Sequence, residues 1–347
     1  MANKTKGGGS LLRYLGVRLL LIFPTVLILV TMVFLIMRTI GDPITAALGG
    51  KLSNAELAIR ISAAGYDRPI LIQYFEYLGQ VFTGNFGSTL TTNKPITDLL
   101  ATYGMATLEL VIYALIVAFL VGIPLGMLAA KKRDTGTDAG LRLFAILAYA
   151  TPVFFVGLLL KLVFAVAWPI LPVSGRASIN TELAITLMDN PSGIYLVDAI
   201  RLGNGEMILD VLSHAILPGL ALGLLTAGIF LRLVRTNMIG TLNTDYVEAA
   251  RSRGVKESRL VTHHALRPAL IPIITVIGMQ LAVLLGGAVL TENTFEWKGL
   301  GFQLAQYLTA RDYVAVQGIV ALLAVIVALT NFLVDVIVAL VDPRVKF

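Results

Sequence analysis

Residues 245–269 read DYVEAARSRGVKESRLVTHHALRPA. The stretch is polar, crowded with Arg and His, and lies between two of the most apolar runs in the chain. Asp245 stands where it can cap a helix, and Glu248, three residues on, completes a capping-box spacing. Ala249 and Ala250 give that helix a flat, small-sided face, and Gly254 supplies a left-handed break that ends it. VKESRLVTHHAL restarts a helix, with Pro268 and Pro272 marking entry into the next apolar run. The expected product is a short helix, a sharp bend and a second helix joined stiffly to that apolar run. A small-faced helix with a charged rim suits docking into a partner's groove. A solvated loop whose arginines set topology and touch lipid phosphates is the competing reading.

The surroundings fix the class. The chain has 347 residues, 57% hydrophobic and only 14% charged, with a mean hydropathy of +0.84. A soluble domain of that size cannot hide so much apolar surface, so an all-α integral membrane protein is expected. Six segments suit helices of about 20 residues that cross a bilayer: 19–37, 108–130, 141–168, 216–233, 271–289 and 314–341. The first is interrupted by Pro24 and followed by MRTIGDP rather than a small-residue cleavage site, so it reads as an uncleaved span. With the N-terminus placed inside, seventeen of the 27 Lys and Arg residues fall on the inner side and nine outside. The positive-inside rule then makes both termini (1–18 and 342–347) and the opening stretch cytoplasmic.

The outer side is organised too. Residues 38–107 form an extracytoplasmic insertion between the first two spans, read as two short amphipathic helices broken at Gly65 and Pro69, with a cap at Ser53 or Asn54. Residues 108–341 form a five-helix core, with an acidic external segment over 171–212 and the polar loop over 234–267. No phosphate-binding G-x-x-x-x-G-K-[ST] loop, HExxH or G-x-S-x-G is present. With no cysteine and only His214, His263 and His264, no metal or cofactor site is expected in this chain. A protein of this kind moves or holds something, and any energy it uses comes from elsewhere.

Glu248, Ala249, Ala250 and Gly254, in the pattern E-A-A-x-x-x-G, resemble the EAA loop of ABC importer permeases. The family pattern continues with I-x-L-P; here HALRP stands there, with Leu266 in place and Pro268 one position late. That departure is similar to the dipeptide/oligopeptide branch, as is HALRPALIP at 264–272. GYDRPILIQYFEYLGQVFTGNFGSTL, GIPLGMLAA, LPVSG, GGAVLTENTFEWKGLG, RDYVAVQG and DPRV match that branch in order, over nearly the whole chain. The resemblance implies a prokaryotic inner-membrane permease of six helices that pairs with a second, homologous permease. It also implies two cytoplasmic ATPases, which bind the ATP and Mg, and an extracytoplasmic solute-binding protein; lipid surrounds the assembly and nucleic acid is no partner. The ATPase-docking residues would be Asp245, Tyr246, Glu248, Ala249, Ala250, Arg251, Gly254 and Arg259. The solute would be a peptide, or else a metal chelate or oligosaccharide. An ion-coupled transporter would instead need paired membrane carboxylates and two related halves, and a passive anchor would need neither.

Polar residues inside spans are costly and often functional. Gln280, in the helix joined to the loop, is a candidate to line a pathway. Asn331 and Asp335 share one helix face and could bond to a neighbouring helix or meet solute. Glu109 and Lys161 read as structural, Lys161 by reaching the outer interface. Gly219, Gly223 and Ala227, the Gly122/Gly126 pair and Gly286–Gly287 read as seams where helix backbones approach closely. Phe295, Glu296 and Trp297 suggest either an interfacial aromatic anchor or a gate.

Overall fold

The computed structural model describes residues 7–341; the expected tail positions 1–6 and 342–347 lie outside the described residues. The chain opens with α1 (Gly7–Ile40), followed by the short helices α2 (Pro43–Leu48), α3 (Asn54–Ala63), α4 (Ile70–Phe82) and α5 (Ile96–Leu99). A wide π-type turn over Leu100–Gly104 leads into α6 (Met105–Lys131). Then come α7 (Gly136–Ala150), α8 (Val153–Lys161), a second wide turn (Leu162–Ala167), α9 (Ile179–Thr186), α10 (Tyr195–Arg201) and the long α11 (Gly205–Leu242). The chain ends with α12 (Asp245–Ser252), α13 (Glu257–Arg259), a third wide turn (Leu260–Ala265), α14 (Leu266–Phe295), α15 (Leu300–Thr309) and α16 (Tyr313–Val341). No β-strand occurs among the described residues.

Among the described residues five helices are long and apolar enough to cross a bilayer, and a sixth crossing exists if the pair α7–α8, bent by 103°, counts as one. The sequence reading of 141–168 as a single run is corrected here. Thr151 precedes Pro152, and a residue in that position is pushed out of the helical region. Its backbone is extended, with ψ 130°, and α7 ends there.

The residues divide into two compact units. The first holds α1–α5, α15 and most of α16. Val26, Val30, Val81, Ala321 and Ala328 join α1, α4 and α16 in one core, while Met37, Ile96, Leu99, Tyr307 and Ile319 form another. Its insertion has a small core of its own, Ile44, Leu48 and Leu57. Ser53 caps α3 in a complete capping box with Glu56, and Gly65, at φ +74°, breaks the chain before α4. Two further short helices, α2 and α5, were not read from the sequence. Buried Asp312 accepts hydrogen bonds from Thr91 N–H and Oγ1–H, at 2.9 and 3.0 Å, and from Ala315 N–H at the start of α16.

The second unit runs from Leu108 to Trp297. Its centre is a seam of small residues. A Cβ at Gly223 would fall 2.5 Å from Ala114 O on α6, and one at Gly122 would fall 2.8 Å from Ala227 O on α11. Gly126 meets Val234 and Leu231 O in the same way, and Gly228 meets Ala145 O on α7. Glycine is what lets these backbones touch. The Gly286–Gly287 pair divides: Gly287 packs on Leu222, whereas Gly286 faces open space.

Candidate functional site

The polar loop is a built structure. Its helix α12 begins at Asp245, with Thr244 as the extended N-cap residue and no side-chain cap bond. Asp245 is therefore the first helical residue, not the cap, and Glu248 closes no capping box; both carboxylates still lie in the first turn, where the helix dipole favours them. At the other end Val255 N–H donates to Ala250 O and Gly254 N–H to Arg251 O, the paired bonds of a Schellman termination. Gly254 has φ +81°, so the bend needs a residue with no left-handed penalty. From Glu257 the backbone runs through α13 and the third wide turn directly into α14.

One face of α12 is rooted and the other is free. Val247, Leu260 and Ala265 are fully buried. Val261 and Ala265 join Phe230, Val234 and Met238 of α11 and Ala269 and Ile273 of α14 in one cluster. Tyr246 Oη–H donates to His264 O at 3.2 Å, fastening the helix across the bend. Asp245, Tyr246, Glu248, Ala249, Arg251, Gly254 and Arg259 are exposed, and Ala250 half-buried. Arg251 donates from Nε and Nη2 to the Glu257 carboxylate at 3.2 and 3.0 Å, spanning the Gly254 bend. That contact holds Glu257 below the usual carboxylate range, through the hydrogen bonds first and charge second. The expected docking residues are thus mostly exposed, above a buried base formed by Val247, Leu260 and Ala265.

At the other end of this unit stands a buried ionic cage. Arg176 Nη2 lies 2.5 Å from Glu109 Oε2 and donates to Gly193 O at 2.8 Å. Glu109 also accepts from Tyr113 Oη–H and Leu196 N–H, both at 3.0 Å. The guanidinium stacks 3.6 Å from the Tyr195 ring centre and 5.5 Å from that of Trp297, arrangements that stabilise a desolvated cation. Phe295 and Trp297 are fully buried, so neither is an interfacial anchor. Trp297 is held inside by the Arg176 guanidinium, whereas the Phe295 ring lies 5.5 Å from Lys161 Nζ and Gly175 N–H reaches Phe295 O at 2.9 Å.

The remaining polar residues fall in separate places. Gln280, on α14 in the second unit, is buried and its Oε1 has no hydrogen-bond partner among the described residues. Asn331 and Asp335, on α16 in the first unit, line a recess of about 150 Å³ with Arg18 of α1, and Asp335 pairs with Arg18 at 3.3 Å. Lys161 is half-buried and tied to a backbone carbonyl. Its Nζ donates to Thr294 O at 2.8 Å, one of the last carbonyls of α14, which lack partners within the helix.

Residues 122–347 match the family described as binding-protein-dependent transport system inner membrane component, and residues 11–121 match the N-terminal part of such components. The chain belongs to this family. Among curated proteins, this inner membrane component is 36% identical over 338 residues to the di/tripeptide transport system permease protein of Pseudomonas aeruginosa, covering 97% of this chain and 99% of that one. It is 36% identical over 339 residues to the dipeptide transport system permease protein of Escherichia coli K12, again covering 97% and 99%. The dipeptide transport system permease protein of Alkalihalophilus pseudofirmus is 33% identical over 338 residues, covering 97% and 100%.

For this transport-system component, a multi-pass membrane protein, two groups escaped the sequence reading. Arg176 counts as one more external charge until its partner Glu109, 67 residues away, is known. Asp138 reads as a loop acid, yet it is fully buried and held by Arg235 through Nε and Nη2 at 2.6 and 2.7 Å. An acid, one of two with Asp134, inside a basic segment was the available signal.

Proposed function

We propose that this chain is the non-catalytic, peptide-conducting permease subunit of an ATP-driven importer, worked from the cytosol through the loop 245–265. In this reading both termini and the loop are cytoplasmic. Two ATPase subunits, which bind ATP and Mg, seat on the loops of this chain and of a homologous second permease, and an extracytoplasmic binding protein delivers the peptide. Asp245, Tyr246, Glu248, Ala249, Ala250, Arg251 and Arg259 meet the ATPase, and Gly254 sets the bend. Gln280, whose Oε1 lacks a hydrogen-bond partner among the described residues, is the first candidate to meet the peptide; Asn331 and Asp335 are the next.

One observation carries the reading: the exposed small-faced helix is joined through the Gly254 bend to a turn whose Val261 and Ala265 pack with α11 and α14 in one buried cluster. A push on α12 is then delivered to two membrane helices rather than absorbed by a floppy loop, as a two-state transition driven by ATPase closure requires. The peptide class rests on the names of the curated relatives.

The chain contains no cysteine, so Ala249→Cys introduces a unique thiol. Reconstituted with its companions, the variant should take up a labelled dipeptide only with ATP. A bulky maleimide at that thiol should abolish uptake, whereas the same label at Ser62→Cys, exposed on the insertion, should not. Dipeptide accumulation by this chain without any ATPase would overturn the proposal.

A further inference from the structure

Between α7 and α11 lies an open groove of about 310 Å³ that the proposed mechanism does not use. Its floor is the close approach of Gly228 to the Ala145 carbonyl. Its walls are Ile146, Tyr149 and Ile229, with Ile146 and Tyr149 mostly exposed. Arg142, Arg232 and Arg235 stand around it.

The charges do not balance. Asp138 is the carboxylate within ion-pair distance, and Arg235 takes both its oxygens, at 2.6 and 2.7 Å. Arg142 reaches it only at 3.7 Å and stays half exposed. Arg232 is exposed, with no carboxylate partner among the described residues. Two cationic side chains are therefore left over beside an apolar trough. Position along the helix matters as well. At 1.5 Å per residue, Arg232 and Arg235 lie roughly 10–15 Å from Leu242, where α11 leaves for the polar loop. The expected fourth span, 216–233, ends at that level, and basic pockets between membrane helices take anionic head groups.

We propose that this groove is a binding site for an anionic phospholipid, its phosphate on Arg142 and Arg232 and an acyl chain along Ile146, Tyr149 and Ile229. A soluble anion has no use for the apolar wall, and a zwitterionic lipid leaves the excess charge unanswered. The assignment to the cytoplasmic leaflet rests on the proposed cytoplasmic placement of the docking loop; the chemistry of the groove does not. A lipid here touches the helix that enters the docking loop.

The test uses the assembled transporter in detergent, stripped of lipid and titrated with dioleoylphosphatidylglycerol or dioleoylphosphatidylcholine, with bound lipids counted by native mass spectrometry. Phosphatidylglycerol should bind at least roughly 10-fold more tightly, and the double variant Arg142→Gln/Arg232→Gln should weaken it by roughly 10- to 30-fold. Arg133→Gln, on the connecting turn, should change neither lipid. Ile146→Trp, which fills the trough, should lower retention of phosphatidylglycerol and serves if the double variant does not assemble. Equal retention of the two lipids, a preference that survives the double variant, or full retention by Ile146→Trp would overturn the proposal. So would loss of the companion permease from the double variant at constant lipid count, which would make the groove a protein contact.

Discussion

Arg176 and Glu109 sit 67 residues apart in sequence and 2.5 Å apart in space, both nearly closed to solvent. The pair pins the segment between α8 and α11 to α6, since Glu109 also takes the Leu196 N–H and Arg176 the Gly193 carbonyl. Removing one member strands the other. Glu109→Ala leaves a buried guanidinium without its counter-charge, and such a break costs about 3–5 kcal/mol. Replacing both, as Glu109→Ala with Arg176→Met, should recover most of that loss, because a buried pair is worth little more than the apolar groups that could replace it. Thermal unfolding followed by Trp emission measures both, as Trp297 lies against Arg176. A single variant as stable as the parent would deny the pin.

Gly254 offers a cleaner separation of backbone from contact. A Cβ there meets nothing within 4 Å, yet φ is +81°. Any effect of substitution is therefore conformational, about 1–2 kcal/mol for a residue forced into the left-handed region. Gly254→Val should insert and assemble but uncouple ATP hydrolysis from uptake, while Gly254→Asn, which tolerates that region, should retain most uptake. Coupled assays of the two variants decide it; equal behaviour would remove the bend from the mechanism.

The loop was legible because its signals are local. A glycine break, a small-sided helix face and a charge excess all lie within 25 residues of chain. The spans were legible for the same reason, since hydropathy is a property of a window. What stayed hidden is pairing. Nothing near Arg176 or Asp138 in sequence names Glu109 or Arg235, and the rings of Phe295 and Trp297 read as either an anchor or a gate until the cations beside them, Lys161 and Arg176, are placed. The break at Thr151 was writable in advance from the proline after it, but Pro24, Pro124, Pro218 and Pro272 sit inside continuous helices. A proline alone therefore does not tell a kink from a stop.

The glycine seam of the second unit predicts opposite signs for adding a side chain at two positions of α11. Gly223→Val would drive Cβ into the Ala114 carbonyl and Val117, an overpacking that costs about 1–3 kcal/mol or more. Gly240→Ala, in the same helix, adds Cβ to open space and removes the glycine penalty of up to about 1 kcal/mol. The first should lower the unfolding temperature and the second raise or hold it. Destabilisation of equal size at both positions would mean that α11 is intolerant of any side chain, not that it meets α6 through a seam.

The bend also has a pH dependence whose sign is set by its charges. Arg251 holds Glu257 below the usual carboxylate range, through its hydrogen bonds first. The contribution is fully present above the unfolded value of 4.5 and is lost as pH falls through the lower folded value. His263 is held below its usual 6.5, first by the charge of Arg267 and then by burial, His264 and Arg259. The unfolded segment therefore takes up a proton before the folded one, and stability falls as pH drops below 6.5. Both groups are exposed, so solvent screens the effect and it stays small. Acidification should loosen the loop in two steps, the upper from His263 and the lower, beneath 4.5, from Glu257. Amide exchange of residues 251–265, corrected for intrinsic rates, should show both. His263→Gln should delete the upper step alone, and a loop that tightens as pH falls from 6.5 toward about 5 would reverse the sign.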